Sequence, residues 1–106
     1  MINRLSRLNL SLNSEFFSQA NRRYTKTLII FSHKINDKKI ELAVRVRKVN
    51  VKSAAKRNDL KRRIKELVKS NIGSFKQGEQ LLLVTRADCG ILNPLQVLED
   101  LEQNLS

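Results

Sequence analysis

The chain has 106 residues, 41% of them hydrophobic, and 21 Lys plus Arg against 10 Asp plus Glu, for a formal net charge of +11. That length supports one domain, spanning 1–106, with a single modest core. A balance this basic calls for a polyanionic partner, either nucleic acid or an anionic membrane surface. No apolar run approaches the roughly 18 to 20 residues that span a bilayer, and the start of the chain, MINRLSRLNLSLN, has no apolar stretch of signal-peptide length. A cytoplasmic, non-membrane protein is the expectation.

The charge is uneven. Residues 1–39 carry +6 (eight basic, two acidic), residues 40–86 carry +9 (thirteen basic, four acidic), and residues 87–106 carry −4 with no Lys or Arg. Only part of the surface is therefore basic. Cys89 is the sole cysteine and His33 the sole histidine, which excludes an internal disulfide and a zinc site built from Cys and His within the chain. Neither lies in a nucleophile motif, so both read as structural residues.

In chain order, Asn13 and Ser14 offer N-cap oxygens and Glu15 suits the positive end of a helix dipole. Phe16, Phe17, Ala20 and Tyr24 follow at helical spacing, predicting a short helix that ends near Arg23. Leu28 to Phe31 is a short apolar run, Asn36 and Asp37 supply a turn, and Leu42, Val44 and Val46 alternate with Ala43, Arg45 and Arg47. These read as two antiparallel strands, the second with one apolar and one basic face.

The stretch KSAAKRNDLKRRIKELVK, residues 52–69, holds eight Lys or Arg in eighteen positions. On a helical period Leu60, Ile64, Leu67 and Val68 share one side, while Asn58, Arg62, Lys65 and Lys69 share the other. Ser53 is the expected N-cap, and Asn71, Gly73 and Ser74 stop the helix. Lys76 to Glu79 reads as loop, and Leu81 to Val84 as a strand buried on both faces. After a loop from Asp88 to Asn93, Pro94 opens a C-terminal helix with Leu95, Leu98, Leu101 and Leu105 on one stripe. Its Glu99, Asp100 and Glu102 read as solvated charges.

The order is helix, strand, strand, helix, strand, helix, with room for a further short strand near Leu8 to Leu12. An α+β two-layer sandwich is the economical architecture. Acid–base catalysis needs carboxylates or histidine gathered in a cleft, and the acidic residues are scattered. Gly73, Gly78 and Gly90 are isolated, so no phosphate-cradling loop is present. No catalytic residue is assigned to this chain.

The segment AAKRNDLKRRIKE follows a strand ending in VRVRKVNVK and precedes a loop and a buried strand. In that setting Lys52, Ala55, Arg57, Asn58, Leu60, Lys61 and Arg62 resemble the signature helix of the bacterial ribonuclease P protein subunit. The resemblance extends from the N-terminal Arg-Leu and Phe16 to the strand LLLVTR and the C-terminal helix. It implies a fold like domain 2 of ribosomal protein S5, with a left-handed βαβ crossover against the usual right-handed rule. It also implies that an RNA subunit is the catalyst, removing the 5′ leader of precursor tRNA with RNA-bound Mg²⁺, with no metal held by protein side chains alone.

The partners implied are ribonuclease P RNA and precursor tRNA, with a monomeric protein bound one per RNA. Carried over by position, Lys52, Arg57, Asn58, Lys61, Arg62 and Lys65 face the catalytic RNA. Phe16 matches the aromatic position of a leader-binding cleft, with Phe17, Tyr24, Arg45, Arg47 and Lys48 as its neighbours. Several positions depart from the family pattern: Asp59 puts a negative charge in the signature, Ala43 stands where Gly is usual, Val49 interrupts a Lys pair, and Ala20 is smaller than usual. The competing reading is a ribosomal or other structured-RNA-binding protein. A helix-turn-helix DNA binder ranks third, because a strand occupies the place of its first helix.

Overall fold

The computed structural model describes residues 2, 4–13 and 15–105. Its elements are β1 (Arg4–Arg7), α1 (Phe16–Gln19), β2 (Asn21–Tyr24), β3 (Leu28–Lys34), β4 (Lys39–Arg45), α2 (Ala54–Ser70), β5 (Glu79–Thr85) and α3 (Pro94–Leu105), with short 3-10 turns at Ile72–Ser74 and Ala87–Cys89. The five strands form one sheet in the order β1-β4-β5-β3-β2. β4 pairs parallel with β1 and β5, while β3 pairs antiparallel with β5 and β2. The chain from β4 through α2 to β5 is thus a parallel crossover, and the α+β class holds.

β5 sits at the centre because it is apolar on both sides. Leu81 and Leu83 join Leu28, Ile30, Ile40 and Leu42 beneath Leu60, Ile64 and Val68 of α2 and Val97 and Leu101 of α3. Leu82 and Val84 form a second cluster on the opposite face with Leu8 and Phe16. Period-2 alternation therefore divides the sheet into a face covered by two long helices and a face covered by one helical turn.

This arrangement corrects four expectations. First, β3 and β4 run antiparallel, but they are not neighbours, since β5 lies between them. Their connection instead crosses the start of β5: Ile35 donates to the carbonyl of Gly78 and Gly78 donates to that of Asp37, at 2.9 and 3.1 Å. A Cβ at Gly78 would lie 2.5 Å from the Asp37 carbonyl oxygen, so the crossing requires glycine.

Second, the first helix is a single turn. Ala20 is already extended, and residues 21–24 form a strand paired with β3. The spacing of Phe16, Ala20 and Tyr24 mimics a helix, but pairing along β3 satisfies more backbone than a short uncapped helix would. Ser14, expected at that cap, lies outside the described residues. Third, the extra strand is Arg4–Arg7, just before the region anticipated, and Leu8 packs beneath the sheet.

Fourth, α3 faces the core with Val97 and Leu101, supported by Leu98 and Leu105, and leaves Leu95 exposed. Its Asp100 is not solvated. At 6% exposure its Oδ2 accepts hydrogen bonds from Thr25 Oγ1 (2.6 Å), Thr27 N (2.9 Å) and Thr27 Oγ1 (2.7 Å), so the carboxylate pins the β2–β3 turn to α3. Burial pushes this carboxyl up, but the threonine hydroxyls and backbone N–H groups outweigh it and hold it below its ordinary range. The two end strands, RLSR and NRRY, each carry two arginines on an open hydrogen-bonding rim.

Candidate nucleic-acid interface

α2 forms where its sequence allows a capped amphipathic helix. Ser53 is extended and its Oγ accepts from Lys56 N at 3.3 Å, while Leu60, Ile64 and Val68 bury completely. The outward charges then sort into two groups. Arg57 donates through Nη1 to the carbonyls of Val51 and Lys52, at 3.0 and 2.8 Å, tying the helix to the chain that enters it. Arg62 bonds both Asp59 and Glu66 at 2.8 Å, and Arg63 pairs with Asp59 at 2.9 Å.

The hydrogen bond from Arg62, with the charge of Arg63 behind it, holds the Asp59 carboxyl below its ordinary range. Asp59 and then Glu66 raise the Arg62 guanidinium. Asp59 thus occupies two arginines that would otherwise meet a phosphate. Lys52, Asn58, Lys61, Lys65 and Lys69 have no ion-pair or side-chain hydrogen-bond partner among the described residues.

Of these, Asn58, Lys61, Lys65 and Lys69 line a groove of about 370 Å³ whose other wall includes Leu5 of β1. It continues into a second hollow of about 440 Å³ bounded by Arg7, Leu42, Lys61 and Lys65. Arg7 was not singled out in the sequence; only the parallel pairing of β1 with β4 brings it beside α2.

The opposite sheet face carries the other predicted residues. Phe16 is 2% exposed and belongs to the second core cluster, whereas Phe17 is 56% exposed. The rings of Phe16 and Phe17 meet edge to face at 5.4 Å, as do those of Phe17 and Phe31 at 5.6 Å. The Arg22 guanidinium lies 5.9 Å from the centre of the Phe31 ring, and that of Arg86 lies 5.4 Å from the centre of the Tyr24 ring. Tyr24 pairs with Ile29 and Arg22 with Phe31, which places both side chains on this face.

Arg45 pairs with Val84 and so shares the face. Arg47 and Lys48 are exposed in the turn that follows β4. Two bonds hold that turn to the far end of β5: Arg47 N donates to Thr85 Oγ1 at 2.9 Å, and fully buried Asn50 donates through Nδ2 to the carbonyl of Arg86 at 2.8 Å. Arg86 also forms a two-pronged contact with Asp88 at 3.1 and 2.7 Å, and these bonds fix its position beside Tyr24. Sequence reasoning missed Arg22, Phe31 and Arg86. Alternation across NRRY would have flagged Arg22 had residues 21–24 been read as strand.

The arrangement offers unpaired cations in a groove on one side and exposed aromatic rings beside cations on the other. Among the described residues no group of three or more His, Cys, Asp or Glu is placed to hold a metal ion. A cavity of about 520 Å³ between α3 and the Ala87–Cys89 turn is lined by Glu99 and Asp100 with a single cation, Lys26. It has the wrong charge for a polyanion.

The family model for ribonuclease P matches residues 6–106. The chain belongs to the ribonuclease P protein family. Among solved structures, the RNase P protein of Thermotoga maritima, in complex with 1-(4-fluorophenyl)-2-thiourea, is 23% identical with a TM-score of 0.76, covering 93% of this chain and 96% of that one. The Staphylococcus aureus RNase P protein is 17% identical with a TM-score of 0.70, covering 93% and 89%. At these identities the likeness establishes the fold, and the family match establishes the role. No curated protein sequence matches.

As a ribonuclease P protein, the chain is a subunit of the tRNA-processing endoribonuclease whose RNA carries the chemistry. The scattered carboxylates of its sequence accord with that division of labour. The ribosomal-protein reading is set aside. No helix is long and apolar enough to cross a membrane among the described residues.

Proposed function

We propose that this chain, acting as one cytoplasmic domain over residues 1–106, binds ribonuclease P RNA with the groove face of α2 and receives the 5′ leader of precursor tRNA on the opposite sheet face. It does so as a monomer, one per RNA, with the catalytic Mg²⁺ held by the RNA. The observation that carries the reading is the separation of two unlike surfaces by one sheet. Asn58, Lys61 and Lys65 stand free on one side, and Phe17 and Tyr24 are exposed on the other, a face that also carries Arg22 and Arg45, with Arg47 and Lys48 exposed after β4.

Two sequence-level assignments shift. Phe16 matches the aromatic position of the family, but its burial leaves no ring face for a base, so Phe17 takes the stacking role and Phe16 supports it edge-on. Arg57 and Arg62 remain near the RNA, yet their donors are engaged within the protein, so Lys61 and Lys65 supply the free charge. Stacking on an aromatic ring contributes about 1 to 3 kcal/mol per base and tolerates any sequence, which suits a leader of variable sequence. The test is reconstitution with a bacterial ribonuclease P RNA at low Mg²⁺, scoring leader removal with and without the protein. Stimulation that is lost on shortening the leader supports both surfaces; no stimulation refutes the reading.

A further inference from the structure

The groove between α2 and β1 has more chemistry than a backbone clamp requires. Leu5 gives it an apolar wall, its cations stand around the opening, and Asn58 presents an unpartnered amide at its edge. Phosphate oxygens only accept, and a ribose 2′-hydroxyl engages the amide at one end, whereas a base edge sets a donor and an acceptor side by side to meet both ends of Asn58 at once. Of the parts of a nucleotide, the base has the largest flat apolar face to set against Leu5. A nucleobase needs both: a flat apolar face, and a donor–acceptor pair along its rim.

We infer that this groove takes one unpaired nucleotide of the RNA subunit, its base against Leu5, its edge read by Asn58 and its flanking phosphates on Arg7, Lys61 and Lys65. The inference rests on the reading that α2 faces that RNA, and it goes further by naming what enters. A single unstacked nucleotide also fits the neutralisation of Arg62 and Arg63 by Asp59. Arg62 and Glu66 also line the groove, where their ion pair leaves Lys61, Lys65 and Lys69 as its unpaired cations, few enough for one nucleotide. An asparagine amide pairs in two-pronged fashion with the N6 and N7 positions of adenine, so adenine is the expected base.

The experiment is chemical probing of full-length ribonuclease P RNA with diethyl pyrocarbonate, which modifies N7 of unstacked adenines, at protein concentrations that saturate the RNA. Wild-type protein is expected to protect an unpaired adenine that is reactive again in the Asn58→Ala complex. Asn58→Ala should weaken binding about tenfold, the scale of one two-pronged base contact. Replacing that adenine with uridine should cost the wild-type protein the same factor and the Asn58→Ala protein nothing. Asn58 is exposed, so its removal leaves the core intact, and thermal melting of the variant checks this.

Absence of any protection that depends on Asn58 overturns the inference. If Lys61→Ala with Lys65→Ala still weakens binding in that case, the helix grips backbone alone and the RNA-binding reading survives. If the lysine pair also changes neither affinity nor salt dependence, the reading of this surface falls with it.

Discussion

The two faces of the sheet are built from the same strands yet are covered unequally. On one face α2 and α3 bury Leu60, Ile64, Val68, Val97 and Leu101 against odd-numbered positions of β5. On the other, a single turn lays Phe16 over Leu82 and Val84 and leaves Phe17 outside. The covered face gains most of the stability, and its function is displaced to the rim of a helix. The sparsely covered face keeps a smaller core and has ring surface to spare. Charge is handled differently too: on α2 Arg62 and Arg63 are matched by Asp59 and Glu66 while lysines stay free, whereas on the open face two arginines lie over aromatic rings.

The largest break in this contrast comes from Phe16→Ala, which should destabilise the fold by about 3 to 5 kcal/mol, as for other buried aromatics. Phe17→Ala should cost less stability, about 1 to 2 kcal/mol from its two edge-to-face contacts, and weaken binding of leader-bearing precursor by about 1 to 3 kcal/mol. Similar thermal shifts for the two variants would erase the distinction between a buried and a working ring.

Asp100→Ala, which strips Thr25 and Thr27 of their shared acceptor, should cost about 1 to 3 kcal/mol. Its pH dependence has a defined sign. The folded carboxyl lies below its ordinary value of 3.8, so its contribution is complete above that value and is lost as pH falls through the folded one. Wild type should therefore lose stability on acidification below about pH 4 more steeply than Asp100→Ala, as urea denaturation across that range would show.

Lys61→Ala and Lys65→Ala should each flatten the log–log salt dependence of RNA binding by up to about one unit. Arg62→Ala should change it less, because Asp59 and Glu66 already neutralise it. The smallest expected effect runs the other way: Asp59→Asn releases Arg63 and leaves Arg62 to Glu66 alone, and should tighten RNA binding and steepen its salt slope. Weaker binding by Asp59→Asn would mean that the pairing orders the arginines for RNA instead of occupying them.

How legible all this was in the sequence depended on whether a local or a distant interaction decided the outcome. α2 was legible because its cap, period and stop lie within one segment. β5 was legible because four consecutive apolar residues demand burial on both faces. Residues 21–24 misled because Tyr24 continues a helical spacing from Phe16, and only pairing with β3 shows otherwise. Asp100 looked solvated because its partners, Thr25 and Thr27, lie more than seventy residues away. The site was legible in composition but not in allocation: the sequence shows Arg57, Lys61 and Arg62 alike, and only side-chain geometry separates the engaged guanidiniums from the free ammonium group.

The end strands have a consequence for the protein before it meets RNA. Among the described residues β1 and β2 are the end strands of the sheet, and a second copy of the chain could extend the sheet at either rim. Arg4 and Arg7 guard one rim, and Arg22 and Arg23 the other. Like charges repel at the ionic strength of a cell, but at about 1 M salt the screening length shrinks to about 3 Å. Conditions that strip RNA from the chain therefore also remove the guard on its rims, so the isolated protein should be most prone to sheet-to-sheet association in the high-salt buffers that would free it of RNA.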